Sequence, residues 1–271
     1  MAEKSGTQPY LLEFHLTQVD PPRPIAPEST WSGVCKMQWR VNTVDAQGNP
    51  VTLLMTGSGF LLAFDGAGRS RTGLLTCHHV LFHNNAVAPS NQVEITFQQH
   101  PNTIFTLAQI ADPLEQPVYD PGLDFYYQEV SPGFTQQMQQ LNIQFLTRRM
   151  QPLAFDLFFL VHYPQGGERN VSIVTYIPQT GNHLNHLLYS QASTRPGSSG
   201  GALIESDGVN GFVFAMHTGV NADHTVDHSS LVTYIIAGIT GEGIGPLGIP
   251  VHWPHPVQQN LSCMLYVSFP C

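Results

Sequence analysis

Two serines lie between glycines in residues 197–201 (GSSGG), and an apolar run follows them. A serine hydroxyl is a weak nucleophile until a base takes its proton and N–H donors stabilise the developing negative charge. Flanking glycines let the backbone turn sharply, so that several N–H groups converge on one point. The stretch therefore indicates either a nucleophile turn for acyl transfer or a plain hairpin connection.

A base for such a nucleophile is available in residues 73–81 (GLLTCHHVL), where an apolar run ends in two histidines. Imidazole exchanges a proton near neutral pH, which suits a general base, although a lone histidine can equally have a structural role. The residue types alone leave His78 and His79 as alternatives.

A carboxylate that could orient this base is Asp124, between Leu123 and Phe125 in a strand-like apolar run. Burying an acid there is costly without a partner, so a partner is implied. Such a carboxylate can hold an imidazole in one tautomer and stabilise the imidazolium. Asp120, in the turn-like sequence YDPG, is predicted to be solvated instead.

The elements that must position these residues are mainly strands. Period-two alternation of apolar and polar residues predicts half-buried strands over 35–41, 93–97 and, less cleanly, 171–176. Further strand candidates are the runs GSGFLLAF, GLLTC, DFYYQEV, LFFLVHY, GALIE and GFVFAMH. Many short strands with few helices predict a β-barrel or β-sandwich protein.

Two helices are predicted among these strands. Phe134, Met138, Leu141 and Phe145 recur at spacings of 4, 3 and 4, which predicts a helix between two β-rich halves. Residues 229–239 (SSLVTYIIAGI) form the second helical candidate.

Composition excludes several classes of partner. The formal charge of −9 over 271 residues disfavours nucleic acid. No stretch approaches the roughly 18 apolar residues of a membrane span, and the start lacks the apolar run of a signal peptide. Four scattered cysteines are too few for a disulfide scaffold, although Cys263 and Cys271 could pair. We therefore expect an intracellular, cytoplasmic protein whose oligomeric state the sequence does not indicate.

Thirteen histidines raise the question of a metal. Three pairs have suggestive spacing: His79/His83, His224/His228 and His252/His255. None joins a cysteine pair at zinc-finger spacing, and no HExxH motif occurs. We expect no metal or other cofactor, and a zinc-dependent hydrolase or structural zinc protein remains a rival hypothesis.

Residues 76–80 (TCHHV) resemble the T-x-x-H strand end that carries the general base in chymotrypsin-fold serine peptidases (the PA clan). That match selects His79 rather than His78. Asp124, 45 residues later, and Ser199 in its G-x-S-G-G turn follow in the family's order of His, Asp, Ser. The resemblance covers about residues 33–240, and it implies a catalytic triad of these three residues.

The resemblance implies an all-β fold of two packed six-stranded antiparallel β-barrels, here with a C-terminal helix. His79 and Asp124 would lie on the first barrel and Ser199 on the second. The N–H groups of Gly197 and Ser199 would form the oxyanion hole, and the activity would be that of a cofactor-free serine endopeptidase acting on proteins or peptides. The implied segments are an extended N-terminal lead-in (1–30), a peptidase domain (31–240, with a first barrel over 31–130, a linker over 131–150 and a second barrel over 151–240) and a tail (241–271).

The chain departs from the secreted, trypsin-like branch of that family. Val80 stands where those enzymes carry a cysteine, Ser198 replaces the aspartate before the nucleophile, and no I-V-G-G start is visible. Activation by cleavage and N-terminal insertion is therefore not expected. The chain is more similar to HtrA-like, glutamyl-endopeptidase-like and viral 3C-like members without disulfides. A catalytically inactive protein-binding module of the same fold is the alternative, but an inactive descendant has no chemical reason to keep all three triad residues.

Five residues line the substrate pocket by the same resemblance: Ser193, Thr194, His217, Thr218 and Gly219. Uncharged Ser193 at the pocket base gives lysine or arginine no counter-charge. A hydroxyl and an imidazole can hydrogen-bond a carboxamide or carboxylate, which predicts Gln or Glu before the scissile bond, with large apolar residues as the fallback. Acceptance of Glu is expected to grow as His217 becomes protonated.

Overall fold

The computed structural model describes residues 28–83, 86–148, 158–177, 186–190, 193–206, 210–220, 226–244 and 250–251. Nearly all of the predicted N-terminal lead-in and most of the tail, including Cys263 and Cys271, lie outside these residues. So do His224, His252 and His255 of the candidate metal pairs. The segment boundaries given above stay predictions.

The first half of the described chain begins with a short 3-10 helix, Glu28–Trp31, and continues as strands with two one-turn helices. The elements are β1 (Val34–Val44), β2 (Pro50–Gly66), β3 (Arg69–Thr76), α1 (His78–Leu81), β4 (Phe82–His83), β5 (Ala86–Val87), β6 (Glu94–Phe97), β7 (Ile104–Thr106), α2 (Leu107–Ile110), β8 (Val118–Asp120) and β9 (Phe125–Glu129). Antiparallel pairing runs in the order β8–β9–β3–β2–β1–β6–β7.

Strand β1 shows why this half folds as a sheet over a core. Cys35, Met37 and Trp39 are buried, whereas Lys36 and Gln38 between them are only half-buried. The alternation read from the sequence therefore corresponds to the two faces of the strand, with the apolar face against the core.

The connection between the halves holds α3 (Pro132–Gln140) and β10 (Leu146–Arg148). Ser131 caps α3, its hydroxyl accepting from the N–H of Phe134, and Phe134 and Met138 are buried as their spacing predicts. The helix is shorter than predicted and ends before Phe145, because Asn142 takes a left-handed backbone with φ of 54°. Strand β10 then pairs in parallel with β2 and with a strand of the second half.

The second half is a ring of strands. Its elements are β11 (Phe158–His162), a 3-10 helix (Pro164–Gly166), β12 (Asn170–Ile177), β13 (His186–Ser190), β14 (Ala202–Ser206), β15 (Gly211–Val220), β16 (Asp227–Leu231), α4 (Val232–Thr240), β17 (Gly243–Ile244) and β18 (Pro250–Val251). Antiparallel pairs join β11–β12–β13–β16–β15–β14, and β14 pairs back with β11, so the six strands close on themselves. The chain therefore has the predicted chymotrypsin-like all-β fold with a C-terminal helix.

The C-terminal helix begins later than its sequence pattern indicates. Ser230 and Leu231, which the pattern includes in the helix, pair as strand with Met216 and Ala215 of β15. Sheet pairing overrides the local helical spacing there, and α4 starts at Val232. Helices in the described part of the chain reach nine residues at most, too short for any of them to cross a bilayer.

Strand β12 turns Ser172 and Val174 inward. Val171 and Ile173 are 40% and 50% exposed, whereas Ser172 and Val174 are 8% and 1% exposed. The apolar alternation of this strand therefore marks its outer face. The reason is that Ser172 belongs to a buried hydrogen-bond network around His162 of β11.

Candidate active site

His79 and Asp124 form a hydrogen-bonded pair. The Nδ1 atom of His79 lies 2.7 Å from Oδ2 of Asp124, and the backbone N–H of His79 donates to Oδ1 at 3.0 Å. Both side chains reach solvent, with 49% and 25% of their surfaces exposed. A carboxylate at Nδ1 holds the proton there and leaves Nε2 free to accept one.

Asp124 stands one residue before β9 rather than inside it. Its φ of 51° is left-handed, a conformation that Asp and Asn tolerate better than most residues. Its carbonyl accepts from the N–H of His78, and the preceding carbonyl, of Leu123, accepts from the Ser230 hydroxyl of β16. The turn that presents the carboxylate is thus attached both to α1 and to the second half.

The adjacent histidine has a different environment. The His78 ring stacks on Phe82 with ring centroids 3.8 Å apart and lies 5.5 Å from Tyr119. Burial in this aromatic cluster lowers the pKa of His78. The geometry separates the two histidines that the residue types left as alternatives, because only the His79 ring contacts the Asp124 carboxylate.

Ser199 lies on a tight turn that packs against the first half. The Ser198 N–H donates to the Arg195 carbonyl at 2.9 Å, and the Ser199 carbonyl accepts from the N–H of Ser58 in β2 at 2.7 Å. Ser199 is half-buried. Among the described residues, no hydrogen bond joins the Ser199 hydroxyl to the His79 imidazole.

The segments that carry His79 and Ser199 meet at one carbonyl oxygen. The carbonyl of His217 in β15 accepts from the Cys77 thiol at 3.1 Å and from the N–H of Gly200 at 2.8 Å. Cys77 is two residues from His79, and Gly200 directly follows Ser199. The shared acceptor therefore holds the predicted nucleophile turn beside the predicted base.

Ser58 is a supporting residue that the sequence patterns did not reveal. It is fully buried, its hydroxyl donates to the Gly197 carbonyl at 2.8 Å and accepts from the Tyr163 N–H at 2.9 Å, and its carbonyl accepts from the Thr76 hydroxyl. The available signal was a serine between Gly57 and Gly59 in an otherwise apolar strand.

The peptide planes of the turn direct two N–H groups away from the protein's own acceptors. The Pro196 carbonyl accepts from Gln165 N–H at 2.5 Å, and the Ser198 carbonyl accepts from Gly201 N–H at 2.9 Å. In a planar trans peptide the next N–H points opposite to the carbonyl. The N–H groups of Gly197 and Ser199 therefore point the other way, and within the described part of the chain neither has an acceptor. Two such donors on one turn can bind an oxyanion.

Gly200 is required at its position, and we expect Gly200→Ala to lower the melting temperature. Its φ is 85°, which costs a side chain about 1–3 kcal/mol, and a Cβ would also collide with the Ser58 carbonyl. Gly68 has a similar φ of 77° but open space around it. Gly68→Ala is the matched control, and thermal unfolding of both variants should show the larger loss for Gly200→Ala. Equal losses of melting temperature in the two variants would mean that the Ser58 carbonyl can move away from the added Cβ.

The predicted pocket residues differ in exposure. Ser193 is exposed, Thr194, Thr218 and Gly219 are half-buried, and His217 is only 2% exposed. Burial lowers the pKa of His217 to about 3. The His217 ring is therefore neutral near pH 7. The protonated form that was expected to favour glutamate does not form at that pH.

A buried carboxylate next to this pocket was not foreseen. Asp227 of β16 is 5% exposed, and the Thr194 hydroxyl donates to its Oδ1 at 2.8 Å. Burial raises the pKa of Asp227, while the hydrogen bond from Thr194 acts in the opposite direction. The pair joins residues far apart in the chain, so no local pattern could reveal it.

One group of potential metal ligands occurs within the described residues. The donor atoms of Cys77, His79 and Asp124 lie within 4.8 Å of one another. Zinc binds thiolate, but burial raises the pKa of the Cys77 thiol well above its ordinary value. His79 and Asp124 already form a hydrogen bond with each other. These three side chains therefore fit an acid–base pair better than a zinc site.

A second serine–histidine contact lies beneath the turn. The Nδ1 atom of His162 is 2.8 Å from the Ser198 hydroxyl, and both residues are fully buried. The Nε2 atom of His162 lies 3.4 Å from the Ser172 hydroxyl, and burial lowers the pKa of His162 to about 4. The signal for His162 in the sequence was a polar residue within the apolar run LFFLVHY, which no local pattern marked as functional.

Comparisons with known proteins bear on the fold and the family. A family model, the trypsin-like peptidase domain, matches residues 57–213. No curated protein matches the chain in sequence. The Rv3671c protease from M. tuberculosis, in its active form, is 17% identical, with a TM-score of 0.50 over 88% of this chain and 98% of that chain. An HtrA-type protease, AlgW, in a variant with a decapeptide, is 15% identical, with a TM-score of 0.51 over 77% of this chain and 64% of that chain.

At these identities the two solved structures show the fold alone. The family model matches more than half of the 271 residues, and this match shows the family. Serine-type hydrolysis of proteins or peptides is the activity that membership of this family supports. The chain belongs to the trypsin-like peptidase family of chymotrypsin-fold serine proteases.

Proposed function

We propose that this chain is a serine endopeptidase that cleaves peptide bonds through an acyl-enzyme, with Ser199 as nucleophile, His79 as general base and Asp124 as the orienting acid. The observation that carries the proposal is the His217 carbonyl, which binds the segments bearing the Ser199 turn and the His79–Asp124 pair at one point.

Acylation begins when Nε2 of His79 takes the hydroxyl proton of Ser199 as Oγ attacks the carbonyl carbon of the scissile bond. The Asp124 carboxylate, bound to Nδ1–H, stabilises the imidazolium that forms. The negative charge on the substrate oxygen is stabilised by the N–H groups of Gly197 and Ser199. His79 then protonates the leaving amine, and the bond breaks to give the acyl-enzyme.

Deacylation repeats these steps with water in place of the amine. His79 removes a proton from water, the hydroxide attacks the ester carbon, and the same two N–H groups stabilise the second oxyanion. His79 returns the proton to Ser199 Oγ, which releases the acid product. No cofactor enters either half of the cycle.

Ser199 is favoured over its neighbour as the nucleophile because of exposure. Ser198 is fully buried and its hydroxyl contacts His162, whereas Ser199 is half-buried. A substrate carbonyl can approach only a hydroxyl that solvent also reaches. His162 also has serine hydroxyls near both ring nitrogens, where a triad would need a carboxylate at one of them.

The alternative is an inactive module that uses the same cleft to bind proteins. The observation that favours it is that no hydrogen bond joins Ser199 to His79 among the described residues. In unbound enzymes, however, such catalytic hydrogen bonds are often long and tighten only when substrate binds. The intact set of His79, Asp124 and Ser199 favours the enzyme.

Labelling with a fluorophosphonate probe separates the two functions. The probe phosphonylates a serine only where a base and an oxyanion hole activate it. Peptide mapping of the labelled protein is expected to find the adduct on Ser199. An unlabelled but folded protein would favour the binding module, and an adduct on Ser198 would overturn the assignment of the nucleophile.

We further propose that Gln is preferred over Glu before the scissile bond. Burial keeps the His217 ring neutral, so it gives a substrate carboxylate no counter-charge, and the carboxylate of Asp227 behind Thr194 disfavours a second anion. We expect the ratio of Gln to Glu cleavage to be constant between about pH 6 and pH 8, because the pKa of His217 is lowered to about 3. A rise in Glu cleavage at lower pH is expected to follow protonation of Asp227, whose pKa is raised by burial.

A peptide-library digest read by mass spectrometry at several pH values measures this preference. Internal cleavage products would also establish endopeptidase action. Dominant cleavage after Lys or Arg would show that Asp227, rather than His217, governs the pocket. Dominant cleavage after Phe or Leu would leave His217 a structural residue.

A further inference from the structure

We propose that His162 is a positioning residue that holds the turn at residues 195–199 in the shape that directs its N–H groups at the substrate oxyanion. The inference rests on the proposed function, since it concerns how the same turn is supported. The buried contact between His162 Nδ1 and the Ser198 hydroxyl carries it.

The direction of the hydrogen bonds can be assigned from the donors available. The Arg195 N–H donates to Ser198 Oγ at 3.0 Å, which occupies one acceptor position of that oxygen. The hydroxyl proton needs an acceptor of its own, and Nδ1 of His162 is the one within reach among the described residues. His162 therefore carries its proton on Nε2, which faces the Ser172 hydroxyl at 3.4 Å.

Burial keeps His162 in the form that this arrangement needs. The lowered pKa of about 4 means that the ring is neutral at ordinary pH, so Nδ1 retains the lone pair that accepts from Ser198. Both groups in the contact, the His162 ring and the Ser198 hydroxyl, are therefore uncharged. A neutral pair of this kind avoids the desolvation cost of a buried ion.

The contact controls the turn because Ser198 lies between the two proposed oxyanion donors. Its backbone N–H donates to the Arg195 carbonyl, its hydroxyl accepts from the Arg195 N–H, and its carbonyl accepts from Gly201. Fixing the side chain of Ser198 thus fixes the peptide planes on both sides. Those planes set the directions of the N–H groups of Gly197 and Ser199.

The same network reaches the substrate pocket. The Ser172 hydroxyl, which faces Nε2 of His162, lies 3.4 Å from the N–H of Ser193, a predicted pocket residue. His162 therefore links the turn at residues 195–199, through Ser198, to Ser193, through Ser172. Ser198 thus has its partner in a neutral histidine of β11.

The test compares ground-state and transition-state effects in His162→Leu. Oxyanion contacts form in the transition state, and losing one donor costs about 10²–10³ in rate, so a displaced turn should lower kcat by roughly 10–100-fold while KM changes by less than about threefold. Affinity for a peptide boronate, which forms an oxyanion-like adduct, should fall by the same factor as kcat/KM.

His162→Asn is the rescue variant, because the amide oxygen of Asn can lie near the place of Nδ1 and accept from Ser198. We expect it to recover most of the lost kcat. His100→Leu is the matched control: its Nε2 contacts the Leu141 carbonyl at 2.9 Å, away from the turn, so its removal should change stability and leave kcat alone. Circular dichroism and melting temperature establish that each variant is folded.

A folded His162→Leu variant with kcat within threefold of the parent would overturn the inference. So would a kcat of His162→Asn as low as that of His162→Leu. If His162→Leu does not fold, Ser198→Ala takes its place, and unchanged kcat and boronate affinity there would overturn the inference as well. Ser199→Ala keeps the two proposals distinct, because loss of labelling in that variant upholds the proposed function whatever the His162 variants do.

Discussion

Replacing Ser199 with alanine is expected to abolish fluorophosphonate labelling and to lower kcat by on the order of 10⁶. The variant removes the atom that forms the acyl-enzyme and leaves the backbone N–H donors in place. Ser199 is half-buried, and its carbonyl, not its hydroxyl, holds the contact with Ser58, so the fold should be unaffected. Peptidase assays, labelling and thermal unfolding of the same preparation measure all three expectations.

An exposed serine distant in sequence from the turn is the matched control for this substitution. Ser90→Ala removes the same hydroxyl group from the surface of the first half and should leave kcat and labelling unchanged. Labelling that persists in Ser199→Ala would contradict the assignment. Labelling that persists on Ser198 would direct attention to its contact with His162.

Removal of the base is expected to be almost as severe, and the two adjacent histidines provide their own comparison. His79→Ala should reduce kcat by roughly 10⁴–10⁶, because triad residues act as a unit. His78→Ala should cost far less, since that ring stacks on Phe82 and forms no hydrogen bond with the Asp124 carboxylate. Steady-state kinetics on the two variants measures the difference.

Asp124→Asn isolates the role of the carboxylate in this pair. Asn tolerates the left-handed backbone found at this position, so the substitution should change the tautomer of His79 without adding strain. We expect a loss of about 10⁴ in kcat.

If His78→Ala were the more damaging histidine variant, the register of the strand end that presents the base would be wrong by one residue.

Much of the fold could be predicted from local patterns. Alternation over 35–41 identified a strand whose apolar face is buried, and the spacing of Phe134 and Met138 identified a helix between the halves. These patterns report the period of the backbone, which is a local property. The end of that helix and the start of α4 were misplaced, because a left-handed Asn142 and pairing of Ser230 with β15 decided them.

Local sequence patterns identified the residue types of the candidate site: two serines among glycines, two histidines at a strand end and an acid in an apolar run. Those signals are local because nucleophile turns and strand ends require particular backbone conformations. The residue types left open which histidine contacts Asp124, and the folded structure places His79 there. That Ser58 anchors the turn and that Asp227 lies behind Thr194 emerged from the folded structure alone. The burial of His162 and His217, which keeps both rings neutral, was decided there as well. Each of these contacts joins separate elements of the fold. The elements meet because of sheet pairing, and the side chains are buried because the packed halves exclude solvent. Spacing along the chain contains neither kind of information.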